Sequence, residues 1–209
     1  MNTTLRKVMV LLSLSGALVG CGKQVSSDEQ AERAYLGLDP SIDKALQLGF
    51  DGYNAATSAN IPDQTTSGDA SGTLTVGGQV DAGQSTNKVM NLRIAMTNYS
   101  DGVVSIAGET VAVTYATPSD PNDPTLQTLP LLSLTLHNVP NGDFTGELIG
   151  LFQMTGDLDG EVTLDLTMSG LIEEDGVGTQ KVRRVAGSTT VSGTATTTGG
   201  GLYTVNVTL

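Results

Sequence analysis

Beyond residue 70, apolar and polar residues alternate with a period of two. Leu74, Val76, Gly78 and Val80 interleave with Thr73, Thr75, Gly77 and Gln79, and Met90, Leu92, Ile94 and Met96 with Asn91, Arg93, Ala95 and Thr97. Val111, Val113 and Tyr115 continue the series, and Val162, Leu164, Leu166 and Met168 oppose Thr163, Asp165, Thr167 and Ser169. The last segment sets Tyr203, Val205, Val207 and Leu209 against Thr204, Asn206 and Thr208. Successive strand side chains point to opposite faces, so this pattern predicts strands with one dry and one wet face. Two segments are apolar on both faces: Leu129, Leu131, Leu132, Leu134 and Leu136, and Leu148, Ile149, Leu151 and Phe152. Those strands are expected to be central, with the N-terminal helices or another sheet over their second face.

Turn signals separate the strands: Asp81-Ala82-Gly83, Asp101-Gly102, Asn141-Gly142-Asp143, Glu174-Asp175-Gly176 and Gly199-Gly200-Gly201. Such short connections favour antiparallel neighbours, because a parallel sheet needs crossover helices for which the chain after residue 70 has no space. The helical signal lies upstream. Residues 28–38 can form a short helix stopped near Gly37. A second begins at Asp39-Pro40-Ser41, with Ser41 as its expected cap and Ile42, Ala45, Leu46, Gly49 and Phe50 at helical spacing. It should end between Gly49 and Ala56 and pack on the sheet through Ile42, Leu46 and Phe50. Residues 57–69, polar and containing Pro62, read as loop.

The expected fold is therefore all-β: an antiparallel β-sandwich or a closed or curved β-sheet, with one or two short N-terminal helices. The curved form would be similar in general shape to periplasmic lipoprotein carriers. Ser71-Gly72-Thr73-Leu74 also echoes Ser192-Gly193-Thr194-Ala195.

The first residues follow a different pattern. A start charged only by Arg6 and Lys7 runs into the apolar stretch Val8-Met9-Val10-Leu11-Leu12-Ser13-Leu14-Ser15-Gly16-Ala17-Leu18-Val19. That stretch is shorter than the roughly 20 residues of a stable membrane span, and has the proportions of a signal-peptide core. Leu18-Val19-Gly20-Cys21 resembles the lipobox of bacterial lipoprotein precursors. The resemblance implies cleavage before Cys21 and covalent lipid on its thiol, with two or more acyl chains giving durable attachment to the bilayer. Gly22 rather than aspartate follows the cysteine, which by the same resemblance favours the bacterial outer membrane. As a whole, short, acidic and Thr/Gly-rich after the lipobox, the chain resembles lipoproteins of myxobacteria and related Gram-negative groups. The expected organisation is a signal peptide over 1–20, a lipidated tether over 21–30, helices and loop over 31–70, and the antiparallel β domain over 71–209.

Composition narrows the partners. Cys21 is the only cysteine, so no disulfide forms within the chain. The net charge is −12, and losing Arg6 and Lys7 with the leader makes the exported part more acidic still. That balance excludes nucleic acid, whose phosphates demand a basic surface. It also leaves lipid, not charge, as the route to a membrane. Tryptophan is absent and aromatics make up 4% of the chain, so the stacking platforms common at carbohydrate sites and interface hot spots are scarce.

Candidate chemistry is thin. His137 is the only histidine, which rules out histidine-rich zinc sites, and no Gly-x-Ser-x-Gly elbow accompanies it. Asp157, Asp159 and Glu161, around Gly160, are the best candidates for calcium, which wants several oxygens in one loop, although a solvated hairpin explains them more simply. Glu173-Glu174-Asp175 and Asp120-Pro121-Asn122-Asp123-Pro124 are further acidic turns. The sole basic cluster after the leader, Lys181-Val182-Arg183-Arg184, reads as solvent-facing charge guarding a strand edge, with pairing to a neighbour or an interface as the alternative. The expectation is a non-enzymatic lipoprotein with a structural, adhesive or protein-interaction role and no catalytic residues. The alternative is a carrier for lipid or another apolar ligand, drawn from Met90, Leu92, Ile94, Met96, Leu148 and Met168.

Overall fold

Two helices, α1 (Asp28–Leu36) and α2 (Asp39–Ala55), precede eleven strands. These are β1 (Asn60–Ser67), β2 (Ser71–Val80), β3 (Lys88–Ser100), β4 (Val103–Ile106), β5 (Glu109–Ala116), β6 (Leu131–His137), β7 (Gly142–Gly156), β8 (Gly160–Glu174), β9 (Val182–Arg184), β10 (Thr190–Thr197) and β11 (Leu202–Thr208). This computed structural model describes residues 24–81, 83, 85–106, 108–118, 128–176 and 181–209. The leader, Cys21 and the acidic turn at Asp120 to Pro124 lie outside the described residues.

The strands form one continuous antiparallel sheet in the order β1-β2-β3-β5-β7-β8-β10-β11. β5 and β6 lie end to end in the slot between β3 and β7: the first half of β3 pairs with β6, and its far end meets β5 where Tyr99 faces Tyr115. The alternating apolar residues fall on one face, where nearly all are buried and Tyr203 and Leu209 pack partly buried against the core. α2 packs against β1, β2, β3 and β9, while α1 packs against β11 and β5. A sheet whose two outermost strands both touch one helix pair must curl around it. The chain thus adopts an open, curved sheet with the helices inside. The echoing segments of β2 and β10 occupy the second place from opposite edges, and Leu74 and Ala195 are both buried.

Glycines let the helices lie flush on the sheet. A Cβ at Gly49 would sit 3.1 Å from Leu92 Cδ1 and 3.2 Å from Met90 Sδ. At Gly37 it would fall on the Tyr115 hydroxyl, which donates to the Ala34 carbonyl at 2.9 Å and fixes the end of α1. Each leucine buried in such contacts contributes about 1.5–3 kcal/mol.

Several expectations need correction. Residues 60–67 form a strand where loop was read. Pro62, which lacks an N–H, is tolerated because β1 is an edge strand and its register slips between Ile61 and Gln64. Ser41 does not cap α2. Its hydroxyl donates back to the Leu38 carbonyl at 2.6 Å, and Pro40 occupies the first turn, where the missing N–H costs nothing. Ordered structure also starts ahead of Asp28, within the expected tether: Val25 is buried, and Ser27 caps α1 by accepting from the Gln30 N–H at 3.3 Å. β6 and β7 are central as expected, but their second face is not sealed, since Leu131 is half-buried and Ile149 remains 43% exposed.

Both edges are managed. On β11, the outward N–H groups of Thr204 and Asn206 donate to Asp28 (2.8 Å) and Glu32 (3.2 Å), two carboxylates one helical turn apart on α1. The proline and shifted register of β1 perform the same service at the other end.

Candidate functional site

With helices packed over most of the inner face, the outer face of the sheet is left open for recognition. Register determines what it displays. Asn60, Gln79, Asn91, Ser133, Glu147, Thr167, Ser192 and Asn206 face one another across eight neighbouring strands, forming a transverse row of hydrogen-bonding side chains. Members of the row bind each other: Gln79 Nε2 to Asn60 Oδ1 at 2.9 Å, Ser133 Oγ to Asn91 Oδ1 at 3.1 Å, and Thr167 with Ser192 at 3.2 Å. A second row runs alongside it through Val89, Thr135, Thr145, Ser169 and Thr190.

Twist turns the middle of these rows into a shallow groove of about 550 Å³, lined by hydroxyls, the Asn91 amide and a single carboxylate, Glu147. Exposed Val89 at its margin and Ile149 beside it are the apolar contributions. The groove offers hydrogen bonds and some apolar contact, but no nucleophile paired with a base.

The candidate site residues do not converge. Asp157 turns toward β5, where its carboxylate accepts from the Ala112 N–H at 2.9 Å and lies 3.8 Å from Arg33. Asp159 accepts from the Gly160 N–H at 3.0 Å. Glu161 points to the other side, taking hydrogen bonds from Gln153 (3.2 Å) and Thr198 (3.1 Å). Between the aspartates, Leu158 is fully buried and anchors the turn. Among the described residues no three His, Cys, Asp or Glu side chains are grouped so as to hold a metal ion. His137 Nδ1 meets Asp143 at 2.8 Å across the β6–β7 pair on the exposed face. No hydroxyl bonds its other ring nitrogen among the described residues.

The basic cluster departs most from expectation. Arg183 does pair with a neighbouring strand, reaching Glu173 at 2.8 Å, and Lys181 reaches Asp51 on α2 at 2.5 Å. Arg184 is buried, not solvent-facing. Its guanidinium binds Asp39 at 2.7 and 3.0 Å and Asp43 at 2.9 and 3.0 Å, and Asp39 also accepts from Tyr35 Oη at 2.8 Å. Although burial works against its charge, the bonds to Asp43 and Asp39 push its pKa above the usual arginine range. A second, half-buried pair was not visible in the sequence: Lys44 reaches the buried carboxylate of Asp101 at 2.6 Å, and Asp101 also takes a hydrogen bond from Tyr99 at 2.6 Å. Both networks fasten α2 to strands or turns of the sheet, and none of their residues lines the outer-face groove.

Among the described residues no helix is long and apolar enough to cross a membrane. No family model, curated protein or solved structure matches this chain.

Proposed function

We propose that this chain is a lipid-anchored bacterial lipoprotein of the outer membrane, whose folded domain acts without catalysis as a protein-interaction module through the outer face of its sheet. The attachment half of the reading rests on the basic start, apolar core and lipobox ending at Cys21. The interaction half rests on one observation. The inner face that suggested a carrier is consumed by packing, with Met90, Leu92, Ile94, Met96, Leu148 and Met168 all buried and α2 laid directly on Met90 and Leu92 through Gly49. The chemistry left on offer is the row through Asn91, Ser133, Glu147, Thr167 and Ser192. Strand addition at β11 is disfavoured, because Asp28 and Glu32 already hold its outward N–H groups.

Native mass spectrometry of the protein extracted from bacterial membranes tests both halves. The expected species begins at an acylated Cys21 and carries no other stoichiometric lipid, and Cys21→Ser moves the protein to the soluble fraction. An unmodified Cys21 with residues 1–20 still attached would refute the anchoring. A tightly retained lipid would replace the interaction reading with the carrier.

A further inference from the structure

The alternation along β3 has one inversion. The inner-face series Met90, Leu92, Ile94 and Met96 continues back to Lys88, which is only 8% exposed, while the apolar Val89 beside it faces outward. Lys88 pairs with Leu136 across the β3–β6 ladder, so its stem enters the sheet interior at the end nearest the last turn of α2. Its ammonium lies 5.0 Å from the centre of the Tyr53 ring and donates to the Gly83 carbonyl. No carboxylate lies within ion-pairing distance of it among the described residues. Lys44 and Lys181, by contrast, each rest on aspartates. An ammonium has three protons to share, and one carbonyl and one ring face leave it short of both acceptors and negative charge. Burying a cation in this way is costly unless a counter-charge arrives. In a chain of net charge −12, the lack of one here is a property of the place and not of the composition.

That place is a cavity of about 410 Å³. Lys88, Ser85 and Thr86 line it with polar groups, and Tyr53, Val139 and Pro140 supply apolar surface. The walls are fastened together. The Val139 N–H donates to the Thr86 carbonyl at 2.8 Å, and the Asn138 N–H to Asn87 Oδ1 at 3.1 Å, tying the β2–β3 connection to the β6–β7 turn. Ser85 Oγ accepts from the Asn87 N–H at 3.0 Å, leaving its own proton to donate.

We propose that this cavity binds an organic monocarboxylate with a short apolar body. The carboxylate would meet Lys88 and the Ser85 and Thr86 hydroxyls, and the carbon skeleton would pack on Tyr53, Val139 and Pro140. One buried cation with two hydroxyls matches a single negative charge, whereas a phosphate dianion demands more donors and meets the repulsion of an acidic protein. The site lies on the opposite side of β3 from the outer-face row and does not depend on the function proposed for that row.

The test is an NMR titration of the full exported chain, uniformly ¹³C/¹⁵N-labelled, with hexanoate, hexanol and inorganic phosphate as separate probes. Hexanoate should produce saturable shifts at Tyr53, Ser85, Thr86 and Lys88 Cε, with an affinity at least tenfold above that of hexanol. Phosphate should leave those signals in place. Lys88→Met should abolish the preference for hexanoate while preserving the dispersed spectrum. If Lys88→Met does not fold, the contrast between hexanoate and hexanol at Lys88 Cε of the unmodified protein decides the matter. Absent or non-saturating shifts, equal affinity for hexanol, or tighter binding of phosphate would each overturn the proposal.

Discussion

Arg184 and Asp39 stand 145 positions apart in the chain and meet in a buried two-pronged ion pair, with nitrogen–oxygen distances of 2.7 and 3.0 Å. The contact joins the first turn of α2 to the short strand β9, and Asp43 one helical turn later shares the same guanidinium. Replacing Arg184 with methionine strands two carboxylates, one of them buried. We expect a loss of about 3–5 kcal/mol, the usual penalty for breaking a buried pair from one side, measured as a lower denaturation midpoint in urea. Arg184→Lys keeps the charge but not the planar fork, and should recover only part of that loss.

Burial holds the phenols of Tyr35, Tyr99 and Tyr115 protonated far above their ordinary value of 10, reinforced at Tyr35 by the charge of Asp39 and at Tyr99 by its hydrogen bond to Asp101. An unfolded tyrosine ionises near pH 10, so beyond that point the folded state binds more protons than the unfolded one. Stability from these groups is therefore flat below pH 10 and declines as pH rises through the folded values. In an alkaline titration, the phenolate absorbance of these three residues should appear together with loss of the far-ultraviolet β signal, not before it. Tyr115→Phe, which removes the bond to Ala34, should cost about 1 kcal/mol.

The two buried glycines of α2 should respond differently to alanine. At Gly49 the new methyl meets the ends of Leu92 and Met90, which can shift. The helix-propensity gain of about 1 kcal/mol then offsets the crowding, and the melting temperature should change little. At Gly52 the methyl lands 2.9 Å from Ile61 Cβ, an atom fixed to the backbone of β1. Gly52→Ala is expected to lose about 1–3 kcal/mol through overpacking, with hydrogen-exchange protection falling first in β1.

Leu158, and not its acidic neighbours, is the working residue of the turn between β7 and β8. Leu158→Ala should cost about 2–5 kcal/mol, as emptying a buried leucine site does, while Asp159→Asn should stay within about 0.5 kcal/mol. Because the carboxylates of Asp157 and Glu161 point to different neighbours, millimolar calcium or a chelator should leave the thermal midpoint unchanged. A calcium-dependent rise would identify this turn as a metal site.

Period-two alternation was enough to identify most strands and the inner face, because it reports directly which side chains avoid water. It failed for β1, whose Pro62 and polar residues carry no apolar stripe, and which is a strand because Gln64 to Ser67 find partners on β2. It also assigned Arg184 to solvent, since a charge run at a strand edge is ordinarily hydrated and nothing local signals that Asp39 and Asp43 will arrive from the far end of the chain. Lys88 stands two residues before Met90, but its inward place depended on a register that the turn at Asp81 left unspecified. The outer-face row is a product of pairing across eight strands, so no single segment contains it.

The latch of Asp28 and Glu32 on the last strand carries a mechanical implication. Chain entering the domain at Gln24 leads, within four residues, into the element that keeps the outermost ladder occupied. A pull on that end would therefore load the Asp28 bond ahead of the Glu32 bond and peel them off singly, so that the domain would yield at its seam well before its centre was strained.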